Sequence, residues 1–186
     1  MSYDLHVPKR RFAHLAALLV VSALIGVVGH TAPTWASAID DNNDCYDQFR
    51  GGDNRLAIYY CSRAIQSGEL DQPDLVAALI NRGVAYKNTG NLVMAVVDYT
   101  SALEIAPKDA VLWANRANAH REMEQLNPAL SDINKALELN PERATSYYVR
   151  GAILEARGES EAAQNDFLKA YELQPQNTAF KQKAGK

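Results

Sequence analysis

Few residues in this chain have chemistry to offer, and their spacing decides how they are read. Cys45 and Cys61 stand too far apart in sequence for a C-x-x-C redox motif, and a metal would need more ligands beside them. His120 is the only histidine after residue 38. The sequence holds no H-E-x-x-H, no Gly-rich phosphate loop and no G-x-S-x-G. A lone imidazole does not assemble an acid, a base and a nucleophile, so no catalytic residue, no metal site and no cofactor is expected. The charges that do recur are Arg82, Arg116 and Arg150, followed at one constant interval by Asp98, Asp132 and Asp166. They could be a triad of ligand-binding arginines. Such a triad would not need its own carboxylates, so pairing of each Arg with its Asp across a helix pair is the stronger reading.

The elements that position these residues follow from composition and period. At 186 residues and 47% hydrophobic content the chain can bury one real core. Seven Pro and ten Gly punctuate long Ala-rich and Leu-rich stretches, which favours helices over short strands. A formal net charge of -3, with no basic face or arm, argues against nucleic acid as a partner.

The first segment reads as an address. Lys9, Arg10 and Arg11 precede an apolar run from about Phe12 to Val28, and Ala36, Ser37 and Ala38 then form an A-x-A site. Residues 1–38 are therefore expected to be a signal peptide, with export to the periplasm or beyond. The competing reading is an uncleaved anchor, since the run, at about 1.5 Å per residue, approaches the roughly 30 Å of a bilayer core. The membrane would then be met only through this N-terminal segment. His14 and Ser22 interrupt the run and weaken that case. Cleavage removes three basic residues and one acidic one, leaving a net charge of -5. In an exported chain the surviving pair, Cys45 and Cys61, is expected to form a disulfide; a redox-responsive pair would need a strained or exposed bond.

Self-similarity at a period of about 34 residues fixes the rest. Leu79, Trp113 and Tyr147 align, as do Gly83, Ala117 and Gly151; Ala95, Ala129 and Ala163; Tyr99, Ile133 and Phe167; and Ala102, Ala136 and Ala170. Pro107, Pro141 and Pro175 close the units. Each unit reads as two helices: in the middle one Asp109 can cap a helix over Val111–Glu124, and Asn127 with Pro128 restarts a second that ends near Leu139. Small residues recur where helices approach closely, and bulky ones fill the spaces between axes.

This pattern resembles the tetratricopeptide repeat of exported bacterial type, with a bulky residue, Gly or Ala, Tyr, Ala, an aromatic, Ala and a closing Pro in each period. The resemblance is closest over Val76–Lys108; later His120 replaces the Tyr, Glu124 a Gly, and Leu154 a second Tyr. It implies an all-α solenoid of helical hairpins and a non-catalytic module for binding protein or peptide. The expected organisation is a degenerate helix pair over 39–73, three repeats over 74–175 and a short helix or tail over 176–186. In the degenerate pair, Ala57 and Ala64 repeat the spacing of Ala95 and Ala102 with a four-residue offset, assigned to a loose connection over Gln66–Pro73. Its second helix is expected over Asp53–Ile65, facing a short first stretch over Asp44–Arg50. Cys45 then falls where Gly83 falls and Cys61 where Tyr99 falls, which makes the disulfide geometrically reasonable.

The first helices of such an array line its concave side. The positions expected to face a partner there are Ile80, Asn81, Val84, Lys87 and Asn88, then Asn115, Asn118 and Arg121, then Tyr148 and Glu155. The asparagines would either hydrogen-bond a peptide backbone or tie adjacent helices together. Some family members grip a terminal carboxylate with Lys, Asn and Arg on this face; here Val111, Ala114 and Val149 stand where charge would be wanted. The last unit's apolar edge is expected to be partly uncovered, and the oligomeric state stays open.

Overall fold

The computed structural model describes residues 37–186, and every regular element among them is a helix. The basic and apolar parts of the N-terminal segment, through Ala36, lie outside the described residues. The helices are α1 (Ala38–Gly51), α2 (Asn54–Ser67), α3 (Gln72–Asn88), α4 (Leu92–Ile105), α5 (Ala110–Glu122), α6 (Leu126–Leu139), α7 (Ala144–Ala156), α8 (Ser160–Leu173) and α9 (Thr178–Lys183). They pack as four antiparallel pairs, each second helix also lying against the first helix of the next pair. The first helices α1, α3, α5 and α7 touch along the array, whereas the second helices make no contact of similar extent with one another. The inner face therefore belongs to the first helices.

Local sequence sets the boundaries. Asp71 accepts from the Asp74 amide at 2.9 Å, and Pro73 sits in the first turn of α3, where its missing N–H costs nothing. Asp109 caps α5 through the Val111 amide at 2.7 Å. Gly90 and Gly158 take φ +81° past the ends of α3 and α7, and Glu124 takes φ +60° at the same place after α5. Asn127, placed by sequence at the start of α6, lies inside that helix; Gln125 precedes it without a side-chain cap.

Two expectations about the first pair are corrected. Its first helix is not a short stretch over Asp44–Arg50 but a full 14-residue helix, started by a capping box in which Ser37 Oγ accepts from the Asp40 amide and Asp40 accepts from the Ser37 amide. The four-residue offset is not a loose loop either. Helix α3 has 17 residues where α5 and α7 have 13, so the offset is one added turn at its N-terminus.

The core runs the length of the array. Tyr99, Ile133 and Phe167, at equivalent positions, are all buried, together with the alanines that let the helices approach. A Cβ on Gly83 would stand 2.7 Å from Tyr99 Cε1, and one on Gly151 2.7 Å from Phe167 Cε1 and 3.1 Å from the Ala163 carbonyl. The aromatic ring of the second helix thus excludes a side chain there. At the C-terminal end α9 takes the register of a further first helix, and Phe180 falls one repeat period after Ser146. Phe180 is buried against Ala144, Ala170, Tyr147 and Tyr148, so the last unit's apolar edge, expected to be only partly covered, is closed by this short helix.

Candidate functional site

The recurring charges are placed by the hairpin. In each unit the Arg of the first helix reaches the Asp of the second with two parallel bonds. Arg82 Nε and Nη2 donate to Asp98 at 2.9 and 2.7 Å. Arg116 does the same to Asp132 at 2.7 and 2.8 Å, and Arg150 to Asp166 at 2.7 and 2.8 Å. Each third nitrogen reaches backward: Nη1 of Arg82 donates to Ser62 Oγ, that of Arg116 to Thr100 Oγ1 and that of Arg150 to Asn134 Oδ1, at 3.1, 3.1 and 3.3 Å. One guanidinium thus pins three helices, and its charge is spent inside the framework. The sequence reading missed these acceptors, although Thr100 and Asn134 recur at the repeat spacing and Ser62 at that spacing plus the added turn.

Burial of the pairs is graded. Asp98 is 1% exposed, and the side chain of Arg82 is 13% exposed; for Asp166 and Arg150 the side-chain values are 9% and 28%. Burial pushes the Asp98 carboxyl above its ordinary range, while Arg82 pulls it back through hydrogen bonds and charge. For Arg150 the hydrogen bond to Asp166 is the larger influence and raises the guanidinium further. The first pair has no such Arg–Asp set. Instead Asp41 of α1 and Arg63 of α2 meet at 3.2 Å, with the signs exchanged between helices, and Cys45 and Cys61 form a disulfide with both residues fully buried.

The positions assigned to the inner groove separate into three groups. Asn81 and Val84 do not face a partner: they are 2% and 1% exposed, and Asn81 Nδ2 lies 3.9 Å from Cys45 Sγ, tying α3 to α1. Tyr148 and Glu155 are engaged by the C-terminal helix. The Tyr148 ring lies 5.1 Å from that of Phe180, and Lys183 Nζ reaches Glu155 at 2.6 Å. The third group stays on the surface. Ile80, Asn115, Asn118 and Arg121 are half-buried, the Lys87 side chain is nearly covered at 11% exposure, and Asn88 is exposed, donating to Asn54 Oδ1 at 3.1 Å. Arg121 holds Asn118 Oδ1 through Nε and Nη2 at 3.1 and 3.0 Å. Glu122, which sequence reasoning did not single out, lies 3.8 Å from Lys87 and 3.5 Å from Arg121. Tyr46 and Arg50 on α1 add an aromatic and a cation, with Arg50 bonded to the Tyr46 hydroxyl at 3.3 Å. This surface can recognise polar backbone and carboxylate groups, and it holds no arrangement of acid, base and nucleophile. His120 Nδ1 bonds Gln125 Oε1 at 2.7 Å and stands 4.0 Å from Asp132, a carboxylate already held by Arg116. Among the described residues no group of three or more His, Cys, Asp or Glu could hold a metal ion.

Tetratricopeptide repeat models match residues 76–109, 110–143 and 144–177, three consecutive units that make up more than half of the chain. The chain belongs to the tetratricopeptide repeat family. Its matched units begin where the added turn of α3 ends, and they run through α4–α8 into the loop before α9. Several solved structures share the fold of this tetratricopeptide repeat protein. The first repeat domain of RPAP3, described as Spaghetti bound to the HSP90 peptide SRMEEVD, is 30% identical over 62% of this chain and 90% of its own, with a TM-score of 0.57. MamA from Desulfovibrio magneticus RS-1 matches at 21% identity, over 80% of this chain and 81% of its own, with a TM-score of 0.68. A tetratricopeptide repeat protein from Parabacteroides merdae matches at 28% identity and a TM-score of 0.67, over 79% of this chain and 57% of its own. Comparison with curated proteins finds no match. Repeats of this kind are generally non-catalytic, and they make the chain a protein–protein interaction module.

Proposed function

We propose that the protein is an adaptor of the cell envelope that holds an extended peptide or a partner helix against the inner face of α1, α3 and α5. One observation carries this reading: the side chains left accessible there combine Ile80 with Asn115, Asn118 and Arg121, while every periodic Arg is consumed by its own Asp. A peptide backbone would bond the amides, and an apolar side chain would meet Ile80. The HSP90 peptide bound by the RPAP3 domain supports the peptide-binding mode. The groove proposed here stops at α7, because Phe180 of α9 packs on Tyr148 and Lys183 pairs with the exposed Glu155. The test is a crosslinked pull-down from the envelope fraction, beside a variant carrying Ile80→Glu, Asn115→Glu and Arg121→Glu. Recovery of a partner by wild type alone supports the groove; equal recovery by both overturns it.

Export is proposed from Lys9–Arg11, the apolar run and the small-residue site, with the buried disulfide in keeping with an oxidising compartment. One observation favours the membrane-tethered form as a second reading. Cleavage after Ala38 would strip α1 of its Ser37 cap, worth about 1 kcal/mol, and of Ala38, itself only 5% exposed. The intact mass of the protein from an exporting host separates the two: loss of residues 1–38 means a free envelope protein, and a full-length mass means a tether. The full burial of both cysteines speaks for a structural bond rather than a redox-responsive one.

A further inference from the structure

The second helices of the first two pairs present an apolar surface that the groove reading does not use. Six large hydrophobic side chains are exposed among the described residues, and five of them lie on α2 and α4: Leu56, Tyr59, Val93, Met94 and Val97. They share a face. Leu56 precedes Met94, and Tyr59 precedes Val97, by the same step that relates Ala57 to Ala95 and Ser62 to Thr100. Arg82 fixes the two helices side by side, donating to Ser62 on one and Asp98 on the other. The later pairs lack this surface: the places of Val93, Met94 and Val97 are taken by Asn127, Pro128 and Ser131, and then by Glu161, Ala162 and Asn165.

We propose that this outer face of α2 and α4 is the contact between two copies of the chain. Exposed by 36% to 59%, the five side chains offer on the order of 400 Å², enough for the apolar centre of an interface that needs roughly 800 Å² per partner once its polar rim is counted. The rim favours a second copy over other occupants. Along the outer row of α2, Arg55 and Arg63 stand at the positions that Val93 and Ser101 hold on α4, and the α4 row ends in Glu104. A two-fold axis running between the helices and parallel to them lays α2 of one copy on α4 of the other. That sets Arg63, whose Nε faces Asp41 of its own copy and whose Nη1 donates to the Tyr59 hydroxyl, about one turn from Glu104 of the second copy, twice over, and closes the apolar rows on each other. An anionic lipid surface would call for a cationic rim without Glu104. The C-terminal end of the array does not compete, since Phe180 and Ala184 close that edge at 1% and 4% exposure. The contact leaves the inner face of the first helices free, so a dimer would present two grooves.

The test is the mass in solution of residues 37–186, which carry their own core and caps, by sedimentation equilibrium from about 1 to 100 µM. Wild type is expected to approach twice the monomer mass across that range. Val97→Lys, at an already exposed position, should stay monomeric with an unchanged helical spectrum and melting curve, and Ser131→Lys, its equivalent in the third pair, should dimerise as wild type does. Val93→Asp serves as the second disrupting variant should Val97→Lys melt early. A monomer for wild type at the top of that range overturns the proposal, and so does a dimer that survives both disrupting variants. The groove variants of the pull-down leave this face intact, so loss of the partner and loss of the dimer are separable results.

Discussion

Removing one carboxylate from the Arg–Asp series should cost more at the first set than at the last. In Asp98→Ala the guanidinium of Arg82, held in a side chain only 13% exposed, would lose both bonds to Asp98 and keep Ser62 as its partner. Breaking one side of a buried pair costs about 3–5 kcal/mol, which for an array of this size lowers the melting temperature by roughly 6–20 °C. In Asp166→Ala the side chain of Arg150 is 28% exposed and can turn to water, so the loss should fall nearer about 1–3 kcal/mol. The paired apolar replacement Arg82→Met with Asp98→Leu should sit within about 1 kcal/mol of wild type, because it removes the desolvation that already pushes the Asp98 carboxyl up. Thermal and urea melts of the oxidised protein, followed by helical circular dichroism, read all three. Equal losses for Asp98→Ala and Asp166→Ala, or a paired replacement as costly as the single one, would refute the argument that burial sets the scale.

Three further outcomes are expected. Replacing Cys45 and Cys61 by Ala releases the loop closed by the disulfide and should cost about 3 kcal/mol, with hydrogen exchange rising in α1 and α2 while α5–α8 stay protected. Phe180→Ala uncovers Tyr147, Tyr148 and Ala170 and should lower stability by about 3–5 kcal/mol, with the first exchange change in α7 and α8; a change confined to α9 would show that the helix caps nothing. Glu124→Gly should raise stability by about 1 kcal/mol in a urea melt, since a side chain is held there at φ +60° where α3 and α7 are followed by glycine.

The sequence was legible wherever a residue's role repeats. The helical hairpin, the alanine contacts and the Arg–Asp spacing are each written three times, and a role written three times survives local substitutions such as Ile133 for an aromatic or Glu124 for Gly. Asp71 and Pro73 carry a helix-start signal as well. Read as loop residues, they concealed that Asp is a cap and Pro a first-turn residue, which is how α3 acquires its added turn. Helix α1 was harder, because Asp40 to Asp44 is a run of Asp and Asn with poor helix propensity, and the Ser37–Asp40 box, the Asp41–Arg63 pair and the packing of Cys45 against Cys61 hold it.

Accessibility was the least legible property, for a physical reason. Asn81 and Asn115 occupy the same place in successive units, yet Asn81 is buried and Asn115 half-buried. What covers a position is the neighbouring helix, and the neighbours differ: α3 carries its Asn81 beside a disulfide-bonded Cys45, where the position matching Cys45 in the next unit is Gly83. At the other end Tyr148 has a groove position by period and a core position by contact, because Phe180 rests on it. The repeat therefore defines which face a residue belongs to, and the two irregular ends decide how much of that face remains for a partner. On this argument the usable groove is centred on α3 and α5, where Lys87, Asn118, Arg121 and Glu122 meet, and substitutions in α7 should act on stability before they act on binding.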